Sequence, residues 1–181
     1  MFINFYFKYV MKKYWLLMLW LFISLLTSSC SSHKNLSKEN ASVKRKYASI
    51  MNVPERKLAN NKLYNFINEW EGVKYRNGGL SKSGVDCSGF VHLLYKEVYN
   101  KTIPRNTSQQ INIIKRKFER NLKEGDLVFF DYDDKKFSHV GVFLQNGYYV
   151  HASARRGIIV QKLKDPYTYK YFSRGGSVNK L

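Results

Sequence analysis

The sequence predicts an α+β fold, and three observations carry that prediction. After residue 55, apolar residues recur at helical spacing. Beyond residue 125 the spacing changes to that of strands. Within the strand region, Asn146-Gly147 is a strong two-residue hairpin signal. Helices first and an antiparallel meander second define the α+β class.

The elements follow in order. Residues 1–29 form an export signal: Lys12 and Lys13 precede a run from Trp15 to Leu26 that is apolar except for Ser24, and Ser28-Ser29-Cys30 follows. The run is shorter than the ~20 residues a membrane span needs. Met11 is an alternative start. Residues 30–55 are rich in Ser, Lys and Asn and read as a flexible tether. Residues 56–181 form the folded domain. There, Leu58, Leu63, Tyr64, Ile67 and Trp70 mark one helix face, which Gly72 stops. A second helix starts at Cys87 and carries Phe90, Val91, Leu94 and Val98 on one side. Thr107 is suited to cap a third helix reaching Ile114, and Pro104 fits the turn before it. Strands are expected at Asp126–Phe130, His139–Leu144, Tyr148–Ala152 and Gly157–Gln161, with a last one from Tyr169 to Ser173.

Among the 181 residues, 31 Lys and Arg face 13 Asp and Glu, a net charge of +18. Removing the first 29 residues leaves 28 basic and 13 acidic residues, or +15. Such a field draws a protein to anionic surfaces. Nucleic acid is not the expected partner: the chain has no arginine-rich helix, zinc-ligand spacing or RNP-like string.

Two cysteines are present. With Cys30 at the signal junction, Cys87 is left without a disulfide partner in an exported protein, which makes it a candidate nucleophile. Unpaired N–H groups and partial positive charge at a helix start favour a thiolate, so its pKa is expected to fall. His139 and His151 supply acid–base groups on strands joined by the tight turn, where side chains meet across adjacent ladders. One imidazole then fixes the tautomer of the other. Cys87 and two His also form a conceivable zinc set, but a third ligand and an open position would be needed. The expected site holds no metal and no cofactor.

Several motifs carry a resemblance. Gly72-Val73-Lys74-Tyr75-Arg76-Asn77-Gly78-Gly79, Asp86-Cys87-Ser88-Gly89-Phe90, Ile103-Pro104-Arg105, Gly125 to Phe130, His139-Val140-Gly141-Val142 and Val150-His151-Ala152 follow one another in the order of the NlpC/P60 family of cell-wall cysteine peptidases. The chain resembles that family from about Leu58 to Val178, close to its lipoprotein murein-endopeptidase branch. The resemblance implies a papain-like fold with helices packed on the meander. It makes Cys87 the nucleophile, His139 the general base and His151 the orienting residue. Tyr75 matches a tyrosine beside the thiol, helping the oxyanion, holding substrate or simply packing. Asp86 and Ser88 match substrate-contacting positions, and Asp86 can also cap the Cys87 helix. Arg105 either meets an acidic substrate group or ties down its loop. Arg76-Asn77 departs from the family, where an aromatic residue before the Gly pair is common.

Leu26 to Cys30 resembles a bacterial lipobox, which implies a lipid on Cys30 and a membrane anchor facing the wall. The implied activity is hydrolysis of an amide in peptidoglycan stem peptides, with the γ-D-Glu to diamino acid bond as first choice and the crosslink as second. An amidase or acyltransferase on the same scaffold, or a wall-binding lipoprotein without catalysis, are the alternatives.

Overall fold

The protein is described by a computed structural model, which covers Tyr14, Trp15, Met18 and residues 37–179. Cys30 and the rest of the expected signal lie outside the described residues. Residues 37–51 are helical (α1), and the tether reading does not hold over this stretch. Its apolar residues are few but sit at helical spacing: Val43, Tyr47, Ala48 and Met51 are all buried in the main core. Tyr47 donates to Glu71 (2.8 Å) and Lys46 pairs with the same carboxylate (2.5 Å). Before that point, Ser42 donates to the Glu39 carbonyl.

Helix α2 (Asn61–Trp70) is capped by the Asn60 side chain, which accepts from the Leu63 N–H at 3.1 Å. It buries Leu63, Tyr64, Phe66, Ile67 and Trp70. Leu58 lies before the helix but is fully buried. A small hairpin, β1 (Leu80–Ser81) and β2 (Gly84–Val85), leads into helix α3 (Cys87–Tyr99). Helix α4 (Thr107–Gln110) is a single turn, capped by Asn106 and not by Thr107. The expected third helix stops there: β-branched Ile111, Ile113 and Ile114 weaken it slightly, and pairing with the last strand takes the chain from Ile114. After one 3-10 turn the chain becomes strand β3 (Ile114–Lys117).

The main sheet has six strands in the order β3-β8-β4-β5-β6-β7, each pair antiparallel. The expected meander is β4 (Leu127–Tyr132), β5 (Lys135–Phe143), β6 (Tyr148–Ser153) and β7 (Gly157–Lys162). The β5–β6 turn places Asn146 and Gly147 at positive φ, as a primed hairpin turn requires. The last strand, β8 (Phe172–Val178), runs further than expected and follows a 3-10 turn over Tyr169–Tyr171. It inserts between β3 and β4.

Strand alternation divides the packing. Leu127, Phe129, Val140, Val142, Val150 and Ala152 join the helices in the main core. Val128, Phe130, Phe143 and Tyr149 build a smaller cluster with Leu122 and Leu163. The sheet is therefore apolar on both faces, and its polar side chains stand out as exceptions.

Candidate active site

Cys87 is the first residue of α3, fixed by the residue before it. Asp86 has extended backbone and its carboxylate accepts the Gly89 N–H at 2.7 Å, a side-chain cap of the helix start. The cap leaves the thiol at the floor of a cleft of about 460 Å³, lined also by Tyr75, Gly78, Asp86, Ser88, Arg105 and Ser138. Cys87 is 6% exposed. The Val140 backbone N–H reaches the sulfur, so the thiol meets β5 one residue along from His139. No hydrogen bond joins the thiol to either imidazole; such contacts are commonly looser before substrate binds.

The thiol is not acidic at rest, contrary to the sequence expectation. Burial pushes its pKa up, and the Asp86 carboxylate adds to that. N–H groups of Val140, Ser88 and Cys87 itself pull it down without winning. The helix-start effect expected from sequence is present but outweighed by desolvation.

Arg105 holds the corner together. Its guanidinium donates to both Asp86 oxygens (2.8 Å each), to Ser88 Oγ (3.0 Å) and to the Gly79 carbonyl (2.9 Å). Gly78 N–H donates to Asp86 at 2.8 Å. The loop from Tyr75 is thereby tied to the helix that carries Cys87. Burial opposes the Asp86 charge, but Arg105 and the Gly89 and Gly78 N–H groups outweigh it and hold its pKa below the ordinary value. Gly89 makes room for this clamp: a Cβ there would come within 2.7 Å of the Gly79 carbonyl and 2.8 Å of Arg105 Nη2. Of the two roles open to Arg105, the contacts are those of a loop tie.

The two imidazoles meet. His139 Nε2 and His151 Nδ1 are 2.8 Å apart, with the rings perpendicular. His139 lies inside β5, four residues past its start, opposite Phe130. Rings wall the pair in: Tyr149 stacks on His151 (4.7 Å, 26°), and Tyr132 meets His139 edge-on (5.5 Å). Burial lowers the pKa of both imidazoles; the neighbouring ring lowers His139 further. Both are neutral at neutral pH.

Sequence reasoning missed two residues here. Gly141 faces His151, where a Cβ would meet the Val150 carbonyl and Tyr149 Cδ2 at 2.7 Å and His151 Cβ at 3.2 Å. A glycine inside a strand was the available signal for that close approach. Gln161 on β7 lies 3.3 Å from His151 Nε2. Nothing in the sequence marks it, because only the β6–β7 register brings it near. Tyr75 bridges to Val85 and lines the cleft; burial, then Cys87 and Asp86, raise its pKa. His92, five residues past Cys87 on α3, sets its Nδ1 2.7 Å from the Ile103 carbonyl. Among the described residues, no group of three or more His, Cys, Asp and Glu has metal-ligating geometry.

The NlpC/P60 family profile matches residues 72–176, more than half of the chain. A protein of Escherichia coli (strain K12) named Murein DD-endopeptidase MepS/Murein LD-carboxypeptidase is 31% identical over 166 residues, 86% of this chain and 88% of that protein. A Haemophilus influenzae protein named Probable endopeptidase NlpC homolog is 37% identical over 112 residues, 62% of this chain and 59% of that protein. Among solved structures, an NlpC/P60 family protein from Bacillus cereus superposes with a TM-score of 0.61 at 29% identity, covering 67% of this chain and 41% of the other. The NlpC/p60 domain of the peptidoglycan hydrolase SagA, at 24% identity and a TM-score of 0.56, shares the fold over all of its length and 67% of this chain. The motif order, the helix-start cysteine against the sheet and these similarities agree: the chain belongs to the NlpC/P60 family of cysteine peptidases.

Proposed function

We propose that the protein is an endopeptidase hydrolysing an amide bond in peptidoglycan stem peptides, with Cys87 as nucleophile, His139 as general base and His151 as the residue that orients it. The observation that supports the reading is the paired imidazole on β5 and β6, with a thiol at the start of α3 that meets the N–H of Val140, the residue after His139. The neutral resting forms give the direction of the chemistry. His139 takes the Cys87 proton as the sulfur attacks the carbonyl carbon. The Cys87 N–H, one of the free donors of the helix start, stabilises the oxyanion, with the Tyr75 hydroxyl beside the cleft. The tetrahedral intermediate collapses, the leaving amine takes the proton from His139, and a thioester remains. Water, deprotonated by His139, cleaves the thioester and frees the thiol.

In this reading the scissile bond is the crosslink first and the γ-D-Glu to diamino acid bond second, the reverse of the order expected from the sequence. Similarity across 88% of a relative named a murein DD-endopeptidase supports the crosslink. A Bacillus cereus relative named Gamma-D-glutamyl-L-lysine dipeptidyl-peptidase supports the second, but the match covers only 29% of that protein. Cys30 carries a lipid that anchors the enzyme to a membrane facing the wall, where a charge of +15 suits a position between anionic lipid and acidic polymer. Digestion of defined crosslinked muropeptides, with mass spectrometry of the products, tests the activity and separates it from an amidase or acyltransferase. Wild type should split the crosslink and Cys87→Ala should release nothing. Equal product from both would reject the mechanism, and wall binding without product in wild type would favour a non-catalytic lipoprotein. Cys30→Ser should move the protein from the membrane to the soluble fraction; unchanged fractionation would reject the anchor.

A further inference from the structure

We infer that Gln161, on β7, is a positioning residue that sets the proton order of the His151–His139 pair. This rests on the Cys–His–His reading above and deepens it by one residue. The argument begins at the exposed end. Gln161 Oε1 receives a hydrogen bond from Arg156 Nη2 at 2.9 Å. A guanidinium can only donate, so the atom facing it is the amide oxygen. The amide nitrogen is then the end that donates to Thr168 Oγ1, at 3.3 Å. Both ends of the side chain are assigned by their partners, and the amide cannot be turned over without placing an N–H against the guanidinium.

The oxygen lies 3.3 Å from His151 Nε2 and can only accept. The Nε2 atom must therefore carry the hydrogen. A neutral imidazole has one N–H, so His151 Nδ1 is a bare acceptor. That nitrogen is 2.8 Å from His139 Nε2, which must then be the donor. His139 is left with an unprotonated Nδ1, the lone pair a general base needs. The opposite order would set the bare Nε2 of His151 against an amide oxygen that already accepts from arginine. Burial favours the neutral rings on which this order depends.

The sheet supplies the reach. His151 is registered opposite Ile159, and Gln161 is opposite Tyr149. Gln161 is thus the diagonal neighbour of His151 on the same face, a separation that a long side chain spans. Tyr149 stacks on the His151 ring and holds it in plane for the contact.

The test reads the rings directly. Protein labelled with 15N in its histidine rings, in wild type and variants, reports each tautomer by long-range 1H–15N correlation, with no turnover required. Wild type should show both His139 and His151 as Nε2–H. Gln161→Met keeps the length and loses the acceptor; His151 should become a mixture of tautomers, and kcat should fall about 10- to 100-fold with KM within about twofold. Gln161→Glu restores an acceptor and should return the wild-type ring pattern and most of kcat. Arg156→Met, at an exposed residue, frees the amide to turn and should give an intermediate pattern even if Gln161→Met fails to fold. A wild-type His151 in the Nδ1–H form, or an unchanged pattern in both Gln161→Met and Arg156→Met, overturns the inference. Retained hydrolysis by Cys87→Ala would instead overturn the site reading and leave the ring assignments to stand or fall alone.

Discussion

Removal of the Arg105 guanidinium separates the two roles that arginine can play. In Arg105→Ala, Asp86 loses two hydrogen bonds of 2.8 Å, and Ser88 and the Gly79 carbonyl lose one each. The carboxylate keeps the Gly89 and Gly78 N–H groups. Breaking a buried pair by deleting one partner costs about 3–5 kcal/mol. Here the Asp86 side chain is 10% exposed but that of Arg105 is 33%, and two backbone donors remain, so about 2–3 kcal/mol is expected. Urea unfolding at pH 7 measures the loss. A double-mutant cycle with Asp86→Asn isolates the pair, and its coupling should exceed about 1 kcal/mol. The pH dependence has a defined sign. The folded-state pKa of Asp86 lies below its unfolded value, so the pair stabilises above the unfolded value and the gain is lost as pH falls through the folded one. A loop tie predicts that stability and kcat fall together. Unchanged unfolding free energy with a raised KM would refute the clamp and return Arg105 to substrate binding.

Gly141→Ala should cost about 1–3 kcal/mol by overpacking and reduce kcat more than KM, because the added Cβ meets a backbone carbonyl and the His151 Cβ; an unchanged melting temperature and turnover would contradict the geometry. The rate of Cys87 alkylation by iodoacetamide should rise with a midpoint above the ordinary thiol pKa, since burial leads the upward shift; a midpoint near neutrality would show a resting thiolate. Both imidazoles have folded pKa values below the unfolded one, so they stabilise fully above about pH 6.5 and that stability fades as pH falls below it. A His139→Asn/His151→Asn protein should lose that slope between pH 6.5 and 4, measured by thermal melts, and an equal slope would show the rings to be solvated.

The placement of the expected site residues was legible because it depends on local chain order. Asp86-Cys87 at a loop-to-helix junction and His139 and His151 either side of Asn146-Gly147 are short-range patterns, and the turn chemistry alone brings the two strands together. What the sequence hid depends on partners far along the chain. Val43, Tyr47 and Met51 sit in a segment whose average composition is that of a linker, and only a core presented by distant helices and strands gives their stripe something to cover. Ile111 to Ile114 fit a helical count as well as a strand; Ile111–Ile113 close one 3-10 turn, and pairing with β8 makes the chain a strand from Ile114. Gln161 is an ordinary polar strand residue until the β6–β7 register places it diagonal to His151.

The charge states at this site follow from one competition. A helix start and nearby N–H groups favour a thiolate, whereas a floor that leaves 6% of Cys87 exposed, with the Asp86 carboxylate alongside, favours the thiol. On the sheet, two imidazoles enclosed by Tyr132, Tyr149 and Phe130 cannot readily share a positive charge. The same burial therefore raises one pKa and lowers the other, which moves the pair away from a resting thiolate–imidazolium. In the proposed mechanism, an ion pair formed only as the sulfur attacks would be stabilised by groups already in place: N–H donors at the sulfur and the His139–His151–Gln161 hydrogen-bond chain. The Asp86–Arg105 clamp is what keeps this arrangement from relaxing, because it fixes the Tyr75 loop and the first turn of α3 through one carboxylate. That makes Asp86, the cap residue, the structural counterpart of the chemistry proposed for Cys87.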